Sequence, residues 1–337
     1  MCFDPIVQVS SESSPACADP TPGPIDAMRT SGILAGLAAA GIWGGMYVVS
    51  KVMLEEIPPF RLLTLRLILG ILALGMVVLM RGRGSLSRRQ SLRLLGIGVV
   101  GFGISVGLQF VGTALSTAAN AALITSASPA FILLFGVLLL GEPVTLRRLA
   151  ALALASLGVL AVLNPAMADL SQGTFRGNLA LLGAAITWGL YSVLVKQASR
   201  EVATTEVSLV GFAGGLFVSL PLAVAEGRPA LAGQVTVPMV LGVLYLGLIS
   251  TALAMYLWNR SLAILEAGLV SLLFFAQPVV GVGLGALLLG EQLGPAFWLG
   301  SALIGAGLLL AALPGRRRDL AAAEVTTPRP ERGGYAK

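Results

Sequence analysis

Arg66 is the residue of this chain whose position most demands a chemical role. It lies about seven residues into an apolar run over 59–80. At 1.5 Å per residue that is roughly 10 Å from the start of a helix, where a charge costs several kcal/mol unless it is paired or hydrated. Its guanidinium offers attraction for a carboxylate, a phosphate or backbone carbonyls inside a cavity, and the plainer alternative is a side chain that snorkels to the outer surface. Trp43, Tyr47 and Lys51 recur every four residues and share one helix face; Trp188, Ser192 and Lys196 do the same later in the chain, with Tyr191 one turn from Trp188. Both tryptophans fall about halfway along their runs, too deep for an interfacial belt, and are expected to wall a cavity, whereas the two lysines are expected to snorkel. Gln109, Asn120, Tyr256, Asn259 and Gln277 are the other large polar groups within or near apolar runs. Amides in hydrocarbon must face one another or water. Gln277, directly before Pro278 at mid-run, is the best placed of these, and Asn120 and Asn259, near run ends, are expected as caps or interface contacts.

The residues that are missing narrow the chemistry further. The chain has no histidine, so imidazole metal sites, Ser/His triads and imidazole proton relays are excluded. Glu142, Glu206, Glu226, Glu266 and Glu291 all lie at run ends, and no Asp or Glu occupies the middle of a run. A buried carboxylate relay or a carboxylate pair for intramembrane catalysis therefore has no obvious residues. Cys2 and Cys17, the only cysteines, stand in a polar stretch with no metal-ligand spacing. No enzyme activity, cofactor or metal site is expected.

The elements that must position these residues are set by composition. Hydrophobic residues make up 56% of 337, charged residues 11%, and the mean hydropathy is +0.89, against about 25% charged residues in soluble domains. The reading is an all-α polytopic membrane protein. Ten apolar runs, near 32–51, 59–80, 93–113, 118–140, 146–164, 177–197, 204–225, 237–259, 267–289 and 294–313, approach the ~20 residues a helix needs to cross a bilayer core. Residues 1–30, rich in Pro, Ser and Asp, read as a disordered cytoplasmic tail with no apolar signal core, within which Met28 offers a second start; residues 315–337 read as a basic cytoplasmic tail. With the N-terminus inside, seventeen Lys and Arg fall on the cytoplasmic side and four, Lys51, Arg61, Arg176 and Arg228, on the other, which places both termini in the cytoplasm. The net charge of +6 is then a topological bias, and no nucleic-acid partner is expected.

The chain also repeats. Pro129–Glu142, PAFILLFGVLLLGE, returns 149 residues later as Pro278–Glu291, PVVGVGLGALLLGE. AGIWGGMYVVSK at Ala40–Lys51 aligns without gaps with AITWGLYSVLVK at Ala185–Lys196, 145 residues on. Two units of five spans, over 31–165 and 174–314, follow. An odd number per unit turns the second upside down, giving inverted repeats of the kind that build alternating-access carriers with a substrate site near the midplane. Pro129 and Pro278 sit inside the fourth and ninth runs and are candidate hinges. Each is expected to leave a carbonyl, that of Thr125 and of Phe274, without its helical partner.

The tryptophan-glycine start of the first span, the following LEEIPP and LRLILG, the xPxxxxxxxxLLLGE block and its repetition resemble the EamA domains of the drug/metabolite transporter superfamily over residues 32–313. The resemblance implies a ten-helix carrier with a central cavity lined by spans one to four and six to nine, spans five and ten lying outside, and an arginine at the position of Arg66. The expected function is an inner-membrane secondary transporter that moves a small metabolite such as an amino acid, nucleoside or drug-like compound, with export as the expected direction. Trp43, Tyr47, Arg66, Gln109, Trp188, Tyr191, Tyr256 and Gln277 are the candidate substrate-binding residues. Partners are a small-molecule substrate and membrane lipid, with a homodimer left open; a lipid flippase or a structural membrane partner is the alternative on the same framework.

Overall fold

The computed structural model describes residues 24–81, 86–163, 173–227, 235–289 and 294–312. Most of the expected tails, both cysteines and Glu291 lie outside the described residues. No strand occurs among the described residues. The first half runs α1 (Pro24–Glu56), α2 (Pro59–Arg81), α3 (Arg88–Gly98), a π-helical segment (Val99–Ser105), α4 (Val106–Leu115), α5 (Ala118–Thr125), α6 (Ser128–Leu140) and α7 (Leu146–Leu163). The second half repeats the order as α8 (Phe175–Ala198), α9 (Thr204–Ala225), α10 (Val237–Leu244), a π-helical segment (Tyr245–Leu253), α11 (Ala254–Ile264), α12 (Ala267–Leu273), α13 (Ala276–Leu289) and α14 (Pro295–Ala312). Among the described residues eight helices are long and apolar enough to cross a membrane, and Ala267–Gly281 is a shorter apolar helix. The protein is therefore a multi-pass membrane protein.

Its surface agrees with that reading. Leu72, Met76, Leu79, Met80, Phe217 and Leu309 are more than half exposed, an outward apolar face that a water-soluble chain would bury. The interior instead collects aromatic rings and polar groups, among them Arg66, Asn120, Asn259 and Gln277. Helices from the two halves interleave: α1 packs on α11 and α13, α2 and α3 on α9, and α4 and α6 on α8. α7 and α14 pair with each other and contribute no residue to the central pocket.

Three expectations change here. Residues 24–30, expected in the disordered tail, are helical; Pro24 opens α1, a position that needs no amide donor, and Arg29 donates from Nη2 to the Ala312 carbonyl at 2.7 Å. The third and eighth spans are not continuous α-helices, since each carries a π-helical segment in the corresponding place. The prolines do not leave orphaned carbonyls. Pro129 and Pro278 stand in the first turns of α6 and α13, after breaks in the chain at 126–127 and 274–275. The Thr125 carbonyl accepts from Ser128 Oγ at 2.7 Å and the Phe274 carbonyl from the Gln277 amide at 3.1 Å. The proline found well inside a helix is Pro221, in α9.

Candidate functional site

The discontinuous helices bring their broken ends to the middle of the bundle, and the site is assembled there. Trp43, Met46 and Tyr47 come from α1, Arg66 from α2, Ser105 from the first π segment, Gln109 from α4, Thr125 from α5 and Ser128 from α6. Trp188 from α8, Met255 from α11, Phe274 from the break and Gln277 from α13 close the pocket from the other half. About 30 Å³ of space remains between these side chains, room for a water or two but not for a metabolite.

Aromatic rings form one wall. Trp43 meets Trp188 edge-on with centroids 5.5 Å apart, Trp258 at 5.4 Å and Phe274 at 6.1 Å, while Trp258 also meets Phe274 at 5.7 Å. These separations are those of favourable edge-to-face and tilted pairs. Trp43 is fixed by donation from Nε1 to the carbonyl of Ser250, at 3.0 Å, in the second π segment. Gly44 lets α13 come close, because a Cβ there would lie 2.8 Å from the Gln277 carbonyl oxygen. That approach lets Gln277 donate from Nε2 to the Trp43 carbonyl at 3.4 Å. Trp188 Nε1 and Gln277 Oε1 are buried with no hydrogen-bond partner, leaving a free donor and a free acceptor at the pocket wall.

The charge lies in the same pocket. Arg66 is 1% exposed. It donates from Nε to Thr251 Oγ1 at 2.6 Å, and Thr251 in turn donates to the Leu246 carbonyl at 2.7 Å within the π segment. The π-helical turn thus presents a threonine hydroxyl to the guanidinium, a use typical of π segments at functional sites. Among the described residues the two terminal nitrogens of Arg66 reach only the Met46 sulfur, at 3.9 Å each, and the guanidinium carbon stands 5.1 Å from the Phe110 ring centroid. A thioether is a weak acceptor. Among the described residues the ion pairs are Arg93–Glu201, Arg148–Glu266 and Lys196–Glu142, so no carboxylate there neutralises Arg66. Tyr47 lines the same pocket, donating to Thr125 Oγ1 at 2.5 Å, while Thr125 Oγ1 donates to the Ala121 carbonyl.

Of the eight residues expected to bind substrate, Trp43, Tyr47, Arg66, Gln109, Trp188 and Gln277 line one pocket. Tyr191 stands behind Trp188, with centroids 5.0 Å apart, and donates to Asn259 Oδ1 at 3.2 Å. Tyr256 is half-buried and does not line the pocket. Asn120 and Asn259, expected as caps or interface groups, are fully buried. Asn259 donates to Ser208 Oγ at 2.9 Å, and Asn120 donates to Ser116 Oγ at 2.9 Å and Asn178 Oδ1 at 2.8 Å. Both tie spans together inside the bundle.

The lysines do not snorkel. Lys51 Nζ donates to the carbonyls of Thr113 and Ser116 at 3.1 and 2.9 Å, at the end of α4. Lys196 Nζ does the same for Leu262 and Leu265 at the end of α11. Each supplies a cation where a helix ends in unsatisfied carbonyls and negative dipole.

Sequence reasoning missed Met46, Ser105, Ser128 and Met255, which line the pocket, and Trp258, whose ring packs against Trp43 and Phe274. The repeat points to Trp258 and Ser128. The residue 149 positions after Gln109 is Trp258, and the residue 149 before Gln277 is Ser128; Thr125 and Phe274 are related in the same way. Arg66 has no such counterpart, since Gly211 stands 145 residues on.

The EamA-like transporter family matches residues 30–164 and again 175–313. The chain belongs to this family. Among its relatives, a "Probable amino-acid metabolite efflux pump" of Salmonella typhimurium (strain LT2) is 30% identical over 84% of this chain and 94% of its own length. The "Uncharacterized transporter YoaV" of Bacillus subtilis (strain 168) is 25% identical over 83% of this chain and 96% of its own. A solved crystal structure shares the fold with a TM-score of 0.73, covering 84% of this chain and 98% of that chain at 24% identity. This EamA-family chain is thus similar to transporters along its membrane-spanning length, and its pocket is built from both matched regions.

Proposed function

We propose that this EamA-family protein is a secondary transporter of the inner (plasma) membrane that exports a small metabolite bearing a carboxylate or phosphate, an amino acid before other classes, by alternating access. Arg66 carries the reading. A buried guanidinium with no carboxylate partner among the described residues is costly at membrane depth, and an anionic group of the substrate would offset that cost by a charge-assisted bond. Gln277 Oε1 and Trp188 Nε1 supply an acceptor and a donor in the same pocket, and the rings of Trp43, Trp188 and Phe274 supply an apolar wall for the rest of the molecule. Trp43, Tyr47, Arg66, Gln109, Trp188 and Gln277 are the substrate-contacting residues in this proposal. Tyr191 supports Trp188, and the breaks before Pro129 and Pro278 are the hinges.

Ten spans in two inverted units, with both termini cytoplasmic, are the topology that goes with this mechanism. Relatives named as amino-acid metabolite efflux pumps favour outward movement. Overexpression is expected to raise cellular tolerance to toxic amino-acid analogues several-fold and to leave tolerance to lipophilic cations unchanged. A screen in which no anionic or zwitterionic compound is affected, or in which only cations are, would contradict the proposal.

A further inference from the structure

At one end of the bundle the two halves are tied by Glu142. α6 ends at Gly141, whose φ of 65° turns the chain into the left-handed region, and the next side chain crosses to the other half. Its two carboxylate oxygens accept from the backbone amides of Ala267 and Gly268 at 2.8 and 3.0 Å. These amides open α12 and have no acceptor within their own helix. Lys196 Nζ stands 3.9 Å from Glu142 Oε1 while it binds the carbonyls of Leu262 and Leu265, just before α12. Beside this group Arg148 pairs with Glu266 and donates from Nη1 to the Pro143 carbonyl at 2.9 Å. Four charged side chains, two from each half, therefore meet around the junction of α6 and α12.

The same two elements hold the pocket at their other ends. α6 begins at Ser128, and α12 leads into Phe274 and Gln277, all of which line it. With 1.5 Å of rise per residue, the junction is about 10 Å from the pocket along α12 and about 20 Å along α6. Separation of α6 from α12 at the junction would open a path to the pocket on that side alone.

We propose that Glu142 is a gating residue, a carboxylate latch that holds α6 of one half against α12 of the other and closes the pocket from that end of the bundle. The inference rests on the transport reading for its purpose, but not for its test. The Ser128→Cys reporter, placed in a Cys2→Ser/Cys17→Ser background, is exposed to a membrane-impermeant maleimide from either face of the membrane in sealed vesicles. Glu142→Gln, which keeps the shape and loses the charge-assisted acceptor, is expected to raise labelling about tenfold from one face only. Glu142→Asp should fall between the two, and Arg148→Gln should give a smaller rise from the same face. Unchanged labelling in Glu142→Gln, or an equal rise from both faces, overturns the latch. Labelling needs no transported compound, so the latch and the transport reading stand or fall separately.

Discussion

Arg66→Met is expected to cut transport of an anionic substrate about ten- to a hundredfold while leaving the protein as stable as the parent, or more so. The transport loss follows from removing a hydrogen bond to a charged group, worth about 1.5–3 kcal/mol. The stability expectation has the opposite sign for a physical reason. Arg66 is 1% exposed, and among the described residues its hydrogen-bond partners are a thioether at the terminal nitrogens and a single threonine hydroxyl at Nε, with the Phe110 ring 5.1 Å away. Removing an uncompensated buried charge and filling the space with an apolar side chain relieves a desolvation cost, a trade of stability for function that active sites commonly show. Thermal unfolding of the detergent-solubilised variant, set beside a transport assay, reads both effects at once. Arg66→Lys is not expected to restore transport, because a point ammonium cannot keep the Thr251 bond and also present two parallel donors to a carboxylate. A large drop in melting temperature for Arg66→Met would mean that the guanidinium is a structural group.

Gly98→Leu is expected to prevent assembly of the bundle, whatever happens at the pocket. A Cβ on Gly98 would lie 2.0 Å from the Gly211 carbonyl oxygen, and one on Gly214 would lie 2.1 Å from that of Leu95. Each collision is with backbone and no rotamer change relieves it. The two glycines set the closest approach between α3 and α9, one helix from each half, and close backbone contact is how membrane helices gain packing without a hydrophobic drive between them. The measurable outcome is a fall in monodisperse protein recovered from the membrane. A leucine at Gly96, where an added Cβ has no neighbour within 4 Å, is the matched control and should be recovered normally. Equal recovery of the two variants would contradict this packing.

How much of this was legible in the sequence differs from feature to feature. The repeat at Pro129 and Pro278 and the tryptophan blocks are spelled in residue identities, so the twofold match and the meeting of Trp43 and Trp188 inside the bundle follow from the sequence. The π segments over Val99–Ser105 and Tyr245–Leu253 do not. A shift of hydrogen-bond register inside a run that is apolar all round leaves no mark on the pattern of side chains. A proline in an apolar run marks the point of breakage to within a turn, and here the breaks lie just before Pro129 and Pro278, where side-chain and turn hydrogen bonds supply what a continuous helix would have supplied. Lys51 and Lys196 depart from the expectation because snorkelling is only the average behaviour of a lysine at a helix end. Their carbonyl partners on α4 and α11 are more than sixty residues away, a placement only the tertiary fold supplies. The same holds for Asn259, near the end of its run yet buried against Ser208 and Tyr191. Trp258, the repeat equivalent of Gln109, is legible only when one half is mapped onto the other at the 149-residue offset.

The central claim is that Arg66 receives an anionic group of a transported molecule in the pocket between the halves. Counterflow into proteoliposomes of paired compounds, each amino acid beside its neutral-carboxyl amide, tests it most directly. Saturable movement of acids, movement of amides at least about tenfold weaker, and loss of that difference in Arg66→Met is the predicted result. Movement of neither, or of acid and amide alike in both the parent protein and Arg66→Met, would contradict it.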